Sequence, residues 1–135
     1  VNYLEKTQLS LLRGFIDSVS AQERVYAALV RSAGGNGGAR LRAMEKDERR
    51  SLRRLQTEHF IMTGDSYAPA AGESPKAGRL SLMRTAYLSE RECYDALMLA
   101  AQDAPNTALA GVYIDIAADK ARHAGEIREM IAEAM

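Results

Sequence analysis

The sequence predicts an all-α fold, an antiparallel four-helix bundle with a long crossover between helices two and three. Three observations carry this. Alanine, leucine, arginine and glutamate are abundant while β-branched residues are few and there are only 3 prolines among 135 residues, a composition that favours helices. Four stretches repeat apolar or small residues at alternating steps of three and four, the pattern of a helix burying one stripe. Between the stretches lie a glycine run, a long Pro/Gly-containing segment and an Asp-Ala-Pro break.

The length fits one domain, residues 1–135, with a proper core. Lysine plus arginine (18) equals aspartate plus glutamate (18), which argues against a general nucleic-acid binder, since that would need a basic excess. No apolar run approaches membrane-spanning length, and no signal-peptide pattern is visible. A single cysteine, Cys93, rules out an intramolecular disulfide and fits a reducing, cytoplasmic setting.

Helix one is predicted over Tyr3 to Ser32, with a seam of Leu12, Ile16, Val19, Glu23, Tyr26 and Val30. Gly34, Gly35, Asn36, Gly37 and Gly38 are expected to break it as a helix–helix turn. They do not read as a phosphate loop, because no strand precedes them and no Gly-Lys-Ser/Thr follows. Helix two is expected from about Ala39 to Met62, with seam Leu41, Met44, Glu48, Ser51, Leu55, Glu58 or His59, and Met62. Arg49, Arg50, Arg53 and Arg54 alternate with Glu45, Asp47 and Glu48, which predicts a solvated face with ion pairs inside the helix. His59 is placed near the helix end, where it suits the last carbonyls.

Residues Thr63 to Ala77 are too long for a tight turn and long enough to cross a bundle lengthwise, since extended chain reaches about 3.3 Å or more per residue. Helix two and helix three should therefore run parallel. Helix three is predicted over Gly78 to Gln102, with seam Leu80, Met83, Tyr87, Glu90, Tyr94, Leu97 and Ala101. Asp103 to Pro105 should end it, and Pro105 should open the fourth helix. That helix carries the seam Tyr113, Ile116, Lys120, His123, Ile127, Met130 and Ala134. The two halves echo each other, Tyr26-Ala-Ala-Leu29 after Glu23 against Tyr94-Asp-Ala-Leu97 after Glu90.

Polar residues thus occupy the buried register at one depth: Glu23, then Glu48 and Ser51, then Glu90, then Lys120 and His123. Single polar positions on two helices and i, i+3 pairs on the other two match the layout of di-metal carboxylate bundles. Residues three apart share a helix face, so a carboxylate and an imidazole can reach one metal. With these seams, and with the segment Leu55-Gln-Thr-Glu-His-Phe-Ile-Met-Thr-Gly64, the chain resembles the ferritin-like superfamily, nearest to rubrerythrin-type bacterial domains. The resemblance spans essentially the whole chain and implies metal-ligand positions at Glu23, Glu48, Glu90 and His123. Ser51 stands where the family has a histidine, and Lys120 where it has a bridging glutamate.

Those two departures predict a degenerate site in which the Lys120 ammonium, salt-bridged to Glu48, Glu90 and Glu23, replaces metal. No cofactor is then expected, and the chain reads as a non-catalytic structural or interaction module, a homodimer by the resemblance. The alternative is a metal-handling or peroxide-handling oxidoreductase that keeps one iron or other divalent metal on Glu48, Glu90 and His123, with Asp119 as a substitute ligand. A third reading is a small-anion pocket near Lys120 and His123. Tyr26 and Tyr94 are expected to be core tyrosines with satisfied hydroxyls, and Cys93 a small buried hydrophobe.

Overall fold

The computed structural model describes residues 3–32 and 35–135, with side chains for 5–32 and 37–135. Among these residues there are four helices and no strands: α1 (Tyr3–Ser32), α2 (Gly35–Thr63), α3 (Arg79–Gln102) and α4 (Thr107–Ala134). Cross-helix pairs fix their directions. Arg49 meets Glu23 and His59 meets Arg13, so α1 and α2 are antiparallel. Gln8 bonds the Asp103 carbonyl and Gln22 the Ala86 carbonyl, so α1 and α3 are antiparallel as well. Between α2 and α4 a ladder of pairs runs in opposite order: Arg40–Glu129, Asp47–Arg122, Arg50–Asp119 and Arg54–Asp115. α2 and α3 therefore run parallel, as the long crossover predicts.

The ends of the helices show where local chemistry differs from the expected boundaries. α2 is already helical at Gly35, several residues before the expected start at Ala39, while Gly34 lies outside the described residues. Burial outweighs glycine's poor propensity in this turn: a Cβ on Gly37 would sit 3.5 Å from the Arg79 guanidinium and 4.0 Å from Met130. Gly64, at φ +78°, supplies the left-handed residue that closes α2, its N–H donating to the Phe60 carbonyl at 2.7 Å. Pro105 does not open α4. Asn106 caps it instead, its side-chain oxygen accepting the Leu109 N–H at 2.9 Å, because an asparagine at this position satisfies an otherwise orphaned donor.

The crossover, residues 64–78, lies along α1 in the same direction as that helix. The Arg13 guanidinium sits 5.5 Å over the Tyr67 ring. The Tyr67 hydroxyl and the Ala70 N–H both donate to Asp17, and Gly72 lets the chain lie against the Arg24 guanidinium. Further on, Arg31 donates to the Ser74 hydroxyl.

The apolar interior is in two parts. One gathers Leu12, Phe15, Ile16, Val19, Leu55, Leu97, Leu109, Tyr113 and Ile116; the other Tyr26, Leu29, Leu41, Met44, Met83, Ile127 and Met130. Predicted seam residues fill both, with exceptions at the helix ends. Leu80, Met62 and Ala134 are exposed because the stripe runs off the bundle there. Leu97 is fully buried while Leu99 is 64% exposed on the same helix. Leu97→Ala should lower the free energy of unfolding by about 2–5 kcal/mol and Leu99→Ala by less than about 0.5 kcal/mol, as read from urea denaturation. Equal losses would mean that α3 is rotated from this register.

Candidate functional site

Between the two apolar halves lies a charged layer. Glu48 on α2, Glu90 on α3, and Lys120 and His123 on α4 are all buried. Each occupies its predicted seam position, so the three helices aim them at one point. The Lys120 Nζ donates to Glu48 Oε1 and, at 3.2 Å, to Glu90 Oε1. His123 Nδ1 lies 3.0 Å from Glu90 Oε2, and its Nε2 lies 2.9 Å from Asp47 Oδ2. An ionised carboxylate only accepts, so both ring nitrogens donate and the ring is an imidazolium. The Tyr26 ring from α1 stands edge-on to it, with centroids 5.7 Å apart.

The titration of the layer follows from burial set against these partners. Burial pulls the His123 pKa down, but the hydrogen bond and charge of Glu90, joined by Asp47, leave it raised. Burial likewise works against Lys120, and the Glu48 and Glu90 carboxylates overcome it and hold the ammonium well above its ordinary value. Glu90 and Asp47 end below their ordinary values despite burial, through His123 above all. Glu48 goes the other way: burial pushes its carboxyl up to about 8 against the opposing charge of Lys120, with Glu90 adding repulsion. Its Oε2 atom is buried and has no hydrogen-bond partner among the described residues.

Glu23 does not join the layer. It lies at the surface of α1, its carboxylate 3.1 Å from Arg49 of α2. The position facing inward is Gln22, which is buried and donates from Nε2 to the Ala86 carbonyl at 3.1 Å. From Val19 to Tyr26 a buried stripe can step four then three, or three then four; packing against α3 selects the second. Ser51 is buried one turn beyond Glu48, as the seam requires. Asp119 is not in the layer either, being paired with Arg122 at 3.1 Å and Arg50 at 3.5 Å on the α2–α4 flank. Asp47, its neighbour there, was not among the predicted site residues because it lies one place off the α2 seam.

The arginine-rich stretch of α2 is only in part the self-paired face expected of it. Arg49–Glu45 and Arg50–Asp47 are pairs within the helix, but Arg54 and Arg50 also reach α4. His59 does serve the end of α2: Nε2 accepts from Arg13 Nε at 3.1 Å, which leaves the proton on Nδ1 to donate to the Asp65 carbonyl at 2.9 Å. The Tyr26 hydroxyl, expected to be satisfied, has no partner among the described residues, and Tyr94 is half-buried. Cys93 is half-buried against the first apolar cluster, and burial pushes its thiol up to about 11, so it is a neutral thiol near pH 7.

Glu48, Glu90 and His123 offer ligand atoms that all lie within 4.8 Å of one another, a spacing from which one divalent ion could gather them. Two ions do not fit. There are two carboxylates and one imidazole in the layer, Gln22 stands on the inward face of α1, and the Lys120 ammonium occupies the oxygens that ions would share. Even one ion requires Lys120 to withdraw and His123 to surrender a proton, since only a ring nitrogen with a free lone pair ligates. No family model, no curated protein and no solved structure matches the chain.

The layer predicts how stability varies with pH. His123 has a folded pKa above its ordinary 6.5, so its contribution is complete below about pH 6.5 and is lost as pH rises through the folded value. Glu48 acts in the same sense between its ordinary 4.5 and about 8. Asp47 and Glu90 oppose on the acid side: their lowered values contribute stability above about pH 4 that is lost as they protonate. Unfolding free energy should therefore peak near about pH 5–6 and fall toward pH 8, with a slope of about 1.4 kcal/mol per pH unit for each proton released. Urea midpoints at a series of pH values measure this. Stability that climbs steadily from pH 6 to 8 would contradict the layer's charge assignment.

Proposed function

We propose that this chain is a non-catalytic, ferritin-like helical module in which an internal ammonium does the work of a metal. The observation that carries the reading is Lys120 held between Glu48 and Glu90. Where ferritin-like bundles bring carboxylates together around cations, this layer supplies a cation from its own chain. The ion pairs persist because each buried charge has a partner, and an isolated buried charge would cost several kcal/mol. An ammonium has no lone pair or coordination position to offer a substrate, and a chain with this centre serves as a scaffold or an interaction module.

A second reading rests on the convergence of Glu48, Glu90 and His123: a protein that retains one divalent metal, with oxidoreductase or metal-handling activity. One variant separates the two. Lys120→Ala should lower stability by about 3–5 kcal/mol, because it leaves buried carboxylates without a counter-charge. It also vacates their shared oxygens, so manganese or zinc should restore much of the loss and raise the melting temperature in proportion to metal concentration. The unaltered protein, dialysed against chelator and then challenged with the same ions, should show neither a stoichiometric metal by elemental analysis nor a metal-dependent melting temperature. A tightly held equivalent of metal in the unaltered protein would reject the first reading in favour of the second.

A further inference from the structure

A cleft of about 360 Å³ opens between α1 and α3 and reaches down to the charged layer, with Ser18, Gln22, Ser89 and Cys93 on its walls and Glu90 and Lys120 among its lining residues. We infer that this cleft is a binding site for a small neutral molecule bearing a hydroxyl or primary amide, which accepts a hydrogen bond from Lys120. The inference rests on Lys120 being the ammonium of the proposed reading.

Two independent features point to such a ligand. An ammonium has three N–H donors, and Lys120 uses two, on Glu48 and Glu90. Among the described residues the third has no acceptor, although the side chain is only 1% exposed. Beside it, Glu48 Oε2 is buried and lacks a donor. A buried donor or acceptor left unmade costs about 1–3 kcal/mol, and both belong to one ion pair. A hydroxyl or amide group carries an acceptor for the first and a donor for the second. The cleft is the opening that leads to Lys120.

Charge selects a neutral occupant over an ion. The cations Lys120 and His123 face the carboxylates Glu90 and Asp47, and Glu48 adds negative charge when it ionises, so the floor is never net positive. Glu92 stands on the same wall of the cleft. The small-anion pocket considered from sequence therefore lacks the positive field it would need. A free cation is opposed by Lys120 itself. The walls mix hydroxyl and amide side chains with Phe15, Val25 and Ala96, which suits a small body with one polar end.

The test is a titration of chelator-treated protein with acetamide, acetate or methylammonium at constant ionic strength, followed by ¹⁵N and ¹H resonances. The Lys120 ammonium, shielded from water, should give its own slowly exchanging signal. Acetamide should move that signal and the amides of Ser18, Gln22, Ser89 and Cys93 along one saturable curve, while acetate and methylammonium leave them in place. Ala21→Leu, which fills the cleft from an exposed position of α1, should weaken acetamide binding at least about tenfold, and Ala96→Leu should do the same from α3. An ammonium signal that is present but unmoved by acetamide would overturn the cleft site alone. Absence of that signal in the folded protein would overturn the ammonium reading and the site with it. Stronger binding of acetate would overturn the neutral-ligand assignment.

Discussion

The structure depends on one buried ammonium. Lys120 lies between two apolar halves of the bundle, in a place where an unpaired charge would be untenable. Its two carboxylate partners come from two other helices, so α2, α3 and α4 must meet at one depth for any of the three to be buried. The flank pairs between α2 and α4 point to the same register but are weaker determinants, since exposed pairs contribute about 0–1 kcal/mol each. A slip of one residue along α4 would turn Lys120 by about 100° and set it against leucine and methionine. That penalty, more than the sum of surface contacts, selects one arrangement of α2 against α3 and α4.

α1 takes a different part. It brings no charge into the layer; it contributes the Tyr26 ring against His123 and the Gln22 amide against the α3 backbone. Its other ties run outward, to Arg49 through Glu23 and to the crossover through Arg13 and Asp17. α1 and α3 are therefore joined more by packing at the ends and by single hydrogen bonds than by a charged clamp, and the cleft lies between them. The crossover binds α1 from outside, where Tyr67 and Ala70 share Asp17.

The sequence makes the helices and three of their four seams legible because a long amphipathic stripe leaves little freedom in register. α2 shows this best: Leu41, Met44, Glu48, Ser51, Leu55 and His59 are all buried as their spacing requires. The misreading of α1 has a definite cause. The echo between the halves was aligned on Glu23 and Glu90, yet Glu23 precedes its tyrosine by three residues and Glu90 by four. Gln22 precedes Tyr26 by four, and it is the residue that faces inward. A neutral amide did not stand out against a neighbouring carboxylate, although spacing favoured it. Asp47 was harder to see, because its tie to His123 depends on how α2 and α4 are rotated against each other and not on either helix alone. The start of α2 was hidden for a similar reason: glycines argue for a turn locally, and only contact with Arg79 and Met130 holds them in a helix.

An internal cation and a bound metal solve the same problem, the repulsion between carboxylates brought together in a dry interior, with different consequences. A metal can be lost or exchanged, and it offers open coordination positions. A lysine is attached to its helix, so its local concentration never falls and the layer assembles with the chain itself. The ammonium also directs only three hydrogen bonds and carries a single charge. With Lys120 alone, two ionised glutamates would leave one negative charge uncompensated, and the layer answers this in two ways. His123 is held as a second cation between Glu90 and Asp47, and Glu48, the carboxylate with an orphaned oxygen, keeps its proton to about pH 8. The raised histidine and the raised glutamate are two responses to one deficit of positive charge, and both follow from placing a monovalent ion at the crossing point of three helices.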